Sequence, residues 1–322
     1  MKIFKFTPIL KQTIWGGEKI AALKQLSYAP DHIGESWEVS CVEGDCSVVA
    51  EGEYGGMSLP ELTDKLKGDL VGRTVYERFG NRFPLLIKFI DAQQDLSIQV
   101  HPTDAQAQAT GKPAGKTEMW IIMDGSSPEA SLRVGLNRTI TPEQYKQMVA
   151  DATVTDVITR YDVRPGDCFF LPAGRIHSIG AGCLLLEIQQ TSDITYRIFD
   201  FNRRDKDGNL RQLHTEEAAA CINYQVEQDY QTHYETHKNE MTQLVSCPYF
   251  TTSILPLDGS RQLDFAALDS FVLVMAIEGS GTIQADEEQP IALQKGETAL
   301  VAACARQLTL TGAMKVVTAS IH

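Results

Sequence analysis

The feature that most constrains this chain is its punctuation. Apolar runs recur as MWIIMDG (119–125), DCFFLPAG (167–174), GCLLLEIQQ (182–190) and FVLVMAIEG (271–279), each bounded by Gly, Pro, Asp or Asn. Each run is about four to eight residues long, too short for a buried helix and long enough for a strand. Their Val, Ile, Leu and Phe content suits a pleated, packed surface. The pattern predicts a mainly β protein with short helical insertions in its N-terminal part.

Helix signals are few. Ser58-Leu59-Pro60-Glu61 is a capping box, which predicts a helix to about Leu70. Thr141-Pro142-Glu143-Gln144 is another, with proline at the first helical position, opening a helix to about Ala150. Residues 215–223 form a third expected helix, and residues 104–110 one more turn after Thr103.

The chain also repeats itself. YDVRPGDCFFLPAGRIH (161–177) resembles PIALQKGETALVAACARQ (290–307), with Gly166 on Gly296 and His177 on Gln307 at a constant offset of 130 residues. This predicts two copies of one β-rich unit, the first lengthened by the helix near 141–150. The polar stretch 224–245 is the expected linker, and the expected division is 1–235 and 236–322.

The segment from Gly166 through Pro172, Gly174 and His177 resembles the second signature of cupin barrels, without its trailing asparagine, since Ala181 stands there. Gln99-Val100-His101 takes the place of the first signature's H-x-H, and Glu118 with Gly125 supplies the rest after an insertion. Residues i and i+2 of a strand share a face, so Gln99 aligns with His101, and Lys116 with Glu118 and Trp120. One barrel interior can hold Gln99, His101, Glu118 and His177. Two imidazoles, a carboxylate and an amide oxygen suit one zinc per chain, or another divalent first-row metal. The second copy has Ala302, Cys304 and Gln307 in place of Pro172, Gly174 and His177, so it is expected to lack the ligands. The expected architecture is two cupin-like (jelly-roll) β-barrels.

Charge and cysteines bound the remaining classes. Twenty-nine Lys and Arg against 42 Asp and Glu give a net charge of −13, which disfavours nucleic acid as a partner. No stretch approaches the roughly 18 apolar residues of a membrane span, and the N-terminus does not look like a signal peptide. The seven cysteines contain no C-x-x-C and read as reduced core residues of a cytoplasmic protein. No dinucleotide fingerprint occurs. Monomer and homodimer are both compatible with this sequence.

The segments IWGG (14–17), GESWEVS (34–40), PLLIKFIDAQQDLSIQVHPTD (84–104), GKTEMWII (115–122) and FFLPAGRIHSIGAGCLLLEIQQTSDITYRIFDFNR (169–203) closely resemble the type I mannose-6-phosphate isomerases in their short bacterial form. The resemblance implies zinc ligands at Gln99, His101, Glu118 and His177, of which short members use the two histidines and the glutamate. It implies an active-site arginine at Arg197 and a lysine beside the metal glutamate at Lys116. It implies a metal-dependent aldose–ketose isomerase that interconverts mannose 6-phosphate and fructose 6-phosphate through a cis-enediol, so the expected partner is a sugar phosphate. A ferrous cupin oxygenase and a non-catalytic sugar-phosphate sensor are the competing classes.

Other polar intruders widen the candidate list. Lys116 can serve as base or as phosphate ligand. Arg197 suits bidentate anion binding, or a salt bridge with Asp193 or Asp200. Lys88 in LLIKFID, Glu38 in SWEVS and Glu187 in LLLEIQQ interrupt apolar strands and are candidate substrate contacts. Trp15 is a candidate pocket wall, as is Trp120, with core packing as the alternative. Together zinc, Lys116 and Arg197 predict a basic pocket inside an acidic shell.

Overall fold

The punctuated runs become strands in the computed structural model, which describes residues 1–27, 30–125, 127–204 and 207–321. Three sheets dominate. The first joins, in order, Gln231–Thr232, Cys168–Leu171, Glu118–Asp124, Cys183–Gln190, Leu85–Ala92, Ile9–Gly17 and Ile33–Val39. The second has five strands: Ile158–Asp162, Ser131–Leu136, His177–Ile179, Ile98–Val100 and Tyr196–Phe199. The third belongs mostly to the C-terminal part and is built on Thr251–Asp264, Val272–Ala285 and Gln307–Ser320.

Several strands of the first sheet are buried on both faces, which is why they read as continuous apolar runs. Alternation still sorts their side chains. Phe89, Ile121 and Leu186 enter one core cluster together with Leu273, Met275 and Val317 of the C-terminal sheet. Ile90, Trp120, Ile122 and Leu185 point the other way, into a cluster shared with Leu132 and Val134 of the five-stranded sheet. Each such large apolar side chain contributes about 1.5–3 kcal/mol by leaving water. The first sheet is therefore the middle layer, and its polar intruders sit on a face that is already sealed.

The architecture is mainly β and of cupin type, but the two expected barrels are not found closed. Among the described residues the sheets stay open. Ile158–Asp162, Tyr196–Phe199 and Gln231–Thr232 each pair with a single strand, so no ladder runs full circle. The first strand, Ile3–Phe4, also crosses to pair with Thr298–Val301 in the C-terminal sheet.

The repeat is visible in the strand bounds. Cys168–Leu171 and the strand start at His177 recur as Thr298–Val301 and the strand start at Gln307, keeping the 130-residue offset. Three long strands of the C-terminal sheet carry Gly259, Gly312 and Gly281 as Cα partners in one row. A Cβ on Gly281 would lie 2.2 Å from the Thr311 carbonyl oxygen, so backbone approaches backbone along this row. Beyond it Ile283, Ala285, Leu308 and Leu310 close a second core.

Helices form at Leu59–Leu66, Asp104–Ala109, Pro142–Ala150 and Thr215–Cys221, the first three with complete capping boxes. The first stops at Leu66, short of Leu70, because Lys67 takes a φ of 48° that breaks it, and a separate turn of helix, Gly68–Val71, follows. Lys19–Leu23 and Arg73–Phe79 carry no side-chain cap of their own and gave no sequence signal. The expected linker 224–245 is instead packed. Tyr230 is buried there and donates its hydroxyl to the Leu136 carbonyl at 2.9 Å, and Gln231–Thr232 pairs with Cys168–Leu171. Apolar contact fixes a segment whose composition alone is polar.

The cysteines are free, as expected, but not all are core: Cys168, Cys183 and Cys221 are buried, Cys41, Cys46 and Cys247 half-buried, and Cys304 exposed.

Candidate metal centre

Two rows of side chains face each other across the space between the first two sheets. On the five-stranded sheet, His177, Gln99 and Arg197 are successive Cα partners. On the seven-stranded sheet, Trp120, Glu187, Lys88 and Trp37 form a row, and Glu118 with Gln189 the next row along. Cross-strand partners share a face, so each row presents its side chains together. His101 follows directly on the Ile98–Val100 strand, and its carbonyl accepts the amide of Gly174 at 2.8 Å, tying it to the turn before His177.

His101, Glu118 and His177 converge, with their donor atoms all within 4.8 Å of one another. All three are buried. His101 Nδ1 lies 2.9 Å from the Ile194 carbonyl oxygen and His177 Nδ1 2.8 Å from that of Arg175. A carbonyl only accepts, so both Nδ1 atoms carry the proton and both Nε2 atoms present lone pairs inward. Burial, and next Lys116, push His177 down to about 3 and His101 well below its usual range, so both rings are neutral, the form that binds metal.

Glu118 Oε1 lies 3.3 Å from His177 Nε2 and has no hydrogen-bond partner. Two electron-rich atoms thus face each other in a buried site. That is costly unless a cation sits there. Burial, reinforced by Glu187, pushes the Glu118 carboxyl up to about 7. The donor set therefore fits a divalent ion, with histidine and carboxylate ligands of the kind zinc takes. Gln99 is adjacent, its Nε2 3.3 Å from His177 Nε2.

The surrounding charges form a tight network. Lys116 Nζ lies 3.1 Å from His101 Nε2, donates to Glu118 Oε2 and lies 3.9 Å from Glu187 Oε1. Lys88 sits between Glu187 at 3.3 Å and Glu35 at 3.5 Å. Each of these carboxylates is held by an indole N–H, Glu187 by Trp120 at 2.8 Å and Glu35 by Trp37 at 2.5 Å. Burial works against the charge on Lys88, but Glu35 and Glu187 outweigh it and raise its pKa. Burial likewise opposes charge on Glu187, but Lys116 and Lys88 overcome it and hold the carboxyl down to about 2.

Not every candidate from the sequence arrives here. Strand alternation puts Glu38 on the opposite face from Glu35 and Trp37, with Ser36. It accepts Lys24 Nζ at 2.6 Å and Ser36 Oγ at 2.6 Å instead, beside a separate cavity of about 610 Å³. Trp15 is buried in the same cluster as Trp120. Arg197 is half-buried, donates Nη1 to the Gln212 carbonyl at 3.0 Å and keeps a buried, unpartnered Nε. Asp200 is taken by Arg203 and Arg211, so the expected alternative salt bridge to Asp200 does not form. Burial and then Arg211 lower the Arg197 pKa. The basic pocket is smaller than expected: Glu118, Glu187 and Glu35 outnumber Lys116 and Lys88, and of the three candidate cations at this site Arg197 is the one with no carboxylate partner among the described residues. Glu35 and Trp37 were missed from sequence. Their signal lay in the same GESWEVS segment from which Glu38 was chosen.

A mainly β, cupin-type chain with an inward His–Glu–His group that could hold a metal ion is the class that fold and site define. Residues 3–150 match the catalytic domain of type I phosphomannose isomerase, and residues 240–321 the mannose-6-phosphate isomerase cupin domain. Mannose-6-phosphate isomerase ManA of Bacillus subtilis is 37% identical over 88% of this chain and 87% of its own length. The enzyme of the same name from Streptococcus mutans is 33% identical over 89% and 88%. The crystal structure of the mannose 6-phosphate isomerase from Bacillus subtilis superposes with a TM-score of 0.87 at 30% identity, covering 99% of both chains. The chain belongs to the type I phosphomannose isomerase family and is an isomerase. No helix among the described residues is long and apolar enough to cross a membrane.

Proposed function

We propose that this chain interconverts mannose 6-phosphate and fructose 6-phosphate through a cis-enediol at the His101–Glu118–His177 centre. The observation that carries this is the unpartnered, buried Glu118 Oε1 facing the Nε2 lone pair of His177 at 3.3 Å. His101, Glu118 and His177 would hold one zinc or another divalent first-row ion, with the Gln99 amide turned to offer its oxygen as a fourth ligand. When bound, the ion supplies Lewis-acid polarisation of the sugar's oxygens.

The chain's own groups do the rest. The reaction moves a proton between C1 and C2. Lys116 Nζ, in reach of the centre and of Glu187, is the group placed to carry that proton. Lys88, fixed between Glu35 and Glu187, holds a positive charge toward the enediolate as it develops. Arg197, on the same row as Gln99 and His177, offers its guanidinium to the phosphate. Trp120, edge-on to the His177 ring at 5.2 Å, keeps water from that side. We assign the chemistry to residues 1–235 and a supporting role to 236–322. Gln307, at the repeat position of His177, is exposed and hydrogen-bonds Gln262. We place the protein in the cytoplasm, in keeping with its free cysteines.

The test combines metal analysis with a coupled assay. Protein loaded with zinc, manganese, cobalt or ferrous iron is given mannose 6-phosphate and fructose 6-phosphate is followed. Turnover lost on chelation and restored by metal is expected. No turnover with any of these metals rejects the reading.

A further inference from the structure

Away from the centre, Cys41 and Cys46 face each other across a small hairpin. Cys41–Val42 pairs antiparallel with Asp45–Cys46 through the turn at Glu43 and Gly44, and Cys41 and Cys46 are Cα partners. Ser47 N donates to the Ser40 carbonyl at 2.9 Å, so the neighbouring pair, Ser40 with Ser47, is hydrogen-bonded. Antiparallel pairs alternate, so Cys41 and Cys46 form a non-hydrogen-bonded pair, where Cα atoms approach to about 4.5 Å and side chains are closest. That lies inside the range of about 4.4–6.8 Å between Cα atoms that a disulfide spans. Both thiols are half-buried rather than sealed. Cys41 also lines an open cleft of about 520 Å³ with Arg82, Lys112 and Thr191.

We propose that Cys41 and Cys46 are a redox couple that closes reversibly to a disulfide. The oxidant is a low-molecular-weight disulfide entering the cleft. One thiolate attacks it, forming a mixed disulfide and releasing one small thiol. The second protein thiol then attacks the first protein sulfur, forming the Cys41–Cys46 bond and releasing the second small thiol. Two protein S–H bonds are lost, the small disulfide is reduced to two thiols, and the sulfurs balance. The S–H of Cys41, which donates to the Asn81 carbonyl at 3.7 Å, is consumed in the process. The other five cysteines have no such partner across a strand pair: Cys168 faces Ile121 and Thr232, and Cys183 faces Ala92.

The experiment equilibrates the full-length native protein in glutathione buffers of graded potential, quenches with acid, and counts thiols after denaturation. The seven thiols are expected to fall to five as the poise rises to that of an oxidising compartment. Peptide mapping is expected to find residues 41 and 46 joined, and dithiothreitol to restore all seven. Cys41→Ser, Cys46→Ser and Cys46→Ala are each expected to keep all their remaining thiols. Seven thiols surviving at that poise would overturn the proposal. So would a stable glutathione adduct with no internal bond, or an unchanged loss of two thiols in the Cys46 variants.

Discussion

Glu187 accepts the indole N–H of Trp120 at 2.8 Å with one oxygen and faces Lys88 at 3.3 Å with the other. One carboxylate is thus aimed by an apolar residue of the sealed core and in turn fixes a buried cation. Glu187→Gln keeps the shape but removes the charge that balances Lys88 and Lys116. Turnover is expected to fall on the order of 10²-fold or more, the usual scale for a group serving proton transfer. Steady-state kinetics checks this, and a variant within threefold of the parent would exclude the role.

Glu35 and Glu38 separate the two faces of one strand. Glu35→Gln weakens the hold on Lys88 and is expected to lower kcat by about tenfold, a loss of roughly 1.4 kcal/mol in the transition state. Glu38→Gln leaves the centre untouched but strips the buried Lys24 of its counter-charge, so it is expected to lower the melting temperature while kcat stays near the parent value. Parallel kinetics and thermal melts decide, and the reverse pattern would place Glu38 in the site.

His177→Ala removes one of three converging donors. The purified variant is expected to retain far less metal than the parent and to lose activity that added metal does not restore. Metal analysis by mass spectrometry gives the readout independently of turnover.

Asp269 caps a helix from a distance. Its carboxylate accepts the amides of Arg73 at 2.7 Å and Thr74 at 3.0 Å, at the start of the Arg73–Phe79 helix. These bonds, those of Thr74 first, hold its pKa below the ordinary 3.8. Asp269→Ala is expected to cost about 1 kcal/mol in urea unfolding. A depressed acid stabilises above its unfolded pKa, so the difference between parent and variant is full at pH 6. It should shrink as pH falls below about 4. A difference that grows on acidification would contradict the cap.

Gly135 lies at a φ of 70°, and a Cβ there would come within 2.1 Å of the Tyr230 ring. Gly135→Ala is expected to destabilise by about 1–3 kcal/mol through overpacking, with strain from the left-handed backbone in addition. Tyr230→Phe removes the bond to the Leu136 carbonyl and is expected to cost about 1 kcal/mol. Chemical denaturation of both variants tests whether the 224–245 segment is structural.

Much of the centre was legible in the sequence because its signals are local. Capping boxes at Ser58 and Thr141 depend on residues three apart, and they formed, while the turn expected after Thr103 proved to be a helix with a capping box of its own. The period of two put Gln99 with His101 and Lys116 with Glu118, and the spacing of Gly166, Pro172 and Gly174 set the turn before His177. Other features have no local cause. The segment Ile33–Val39 is flanked by core on both sides, so hydrophobic alternation carried no sign, and only pairing with Leu85–Ala92 decided that Glu35 rather than Glu38 meets Lys88. The helix at Arg73 takes its cap from a residue about 200 positions away, which no window of sequence reveals. By itself the sequence determined most strands, the capping boxes at Ser58 and Thr141 and the residue types of the His–Glu–His group, because neighbouring residues dictate backbone conformation. The tertiary structure alone decided which sheets stay open and which carboxylate meets which lysine. Those outcomes depend on contacts between segments far apart in the chain, where burial and charge pairing outweigh local preference.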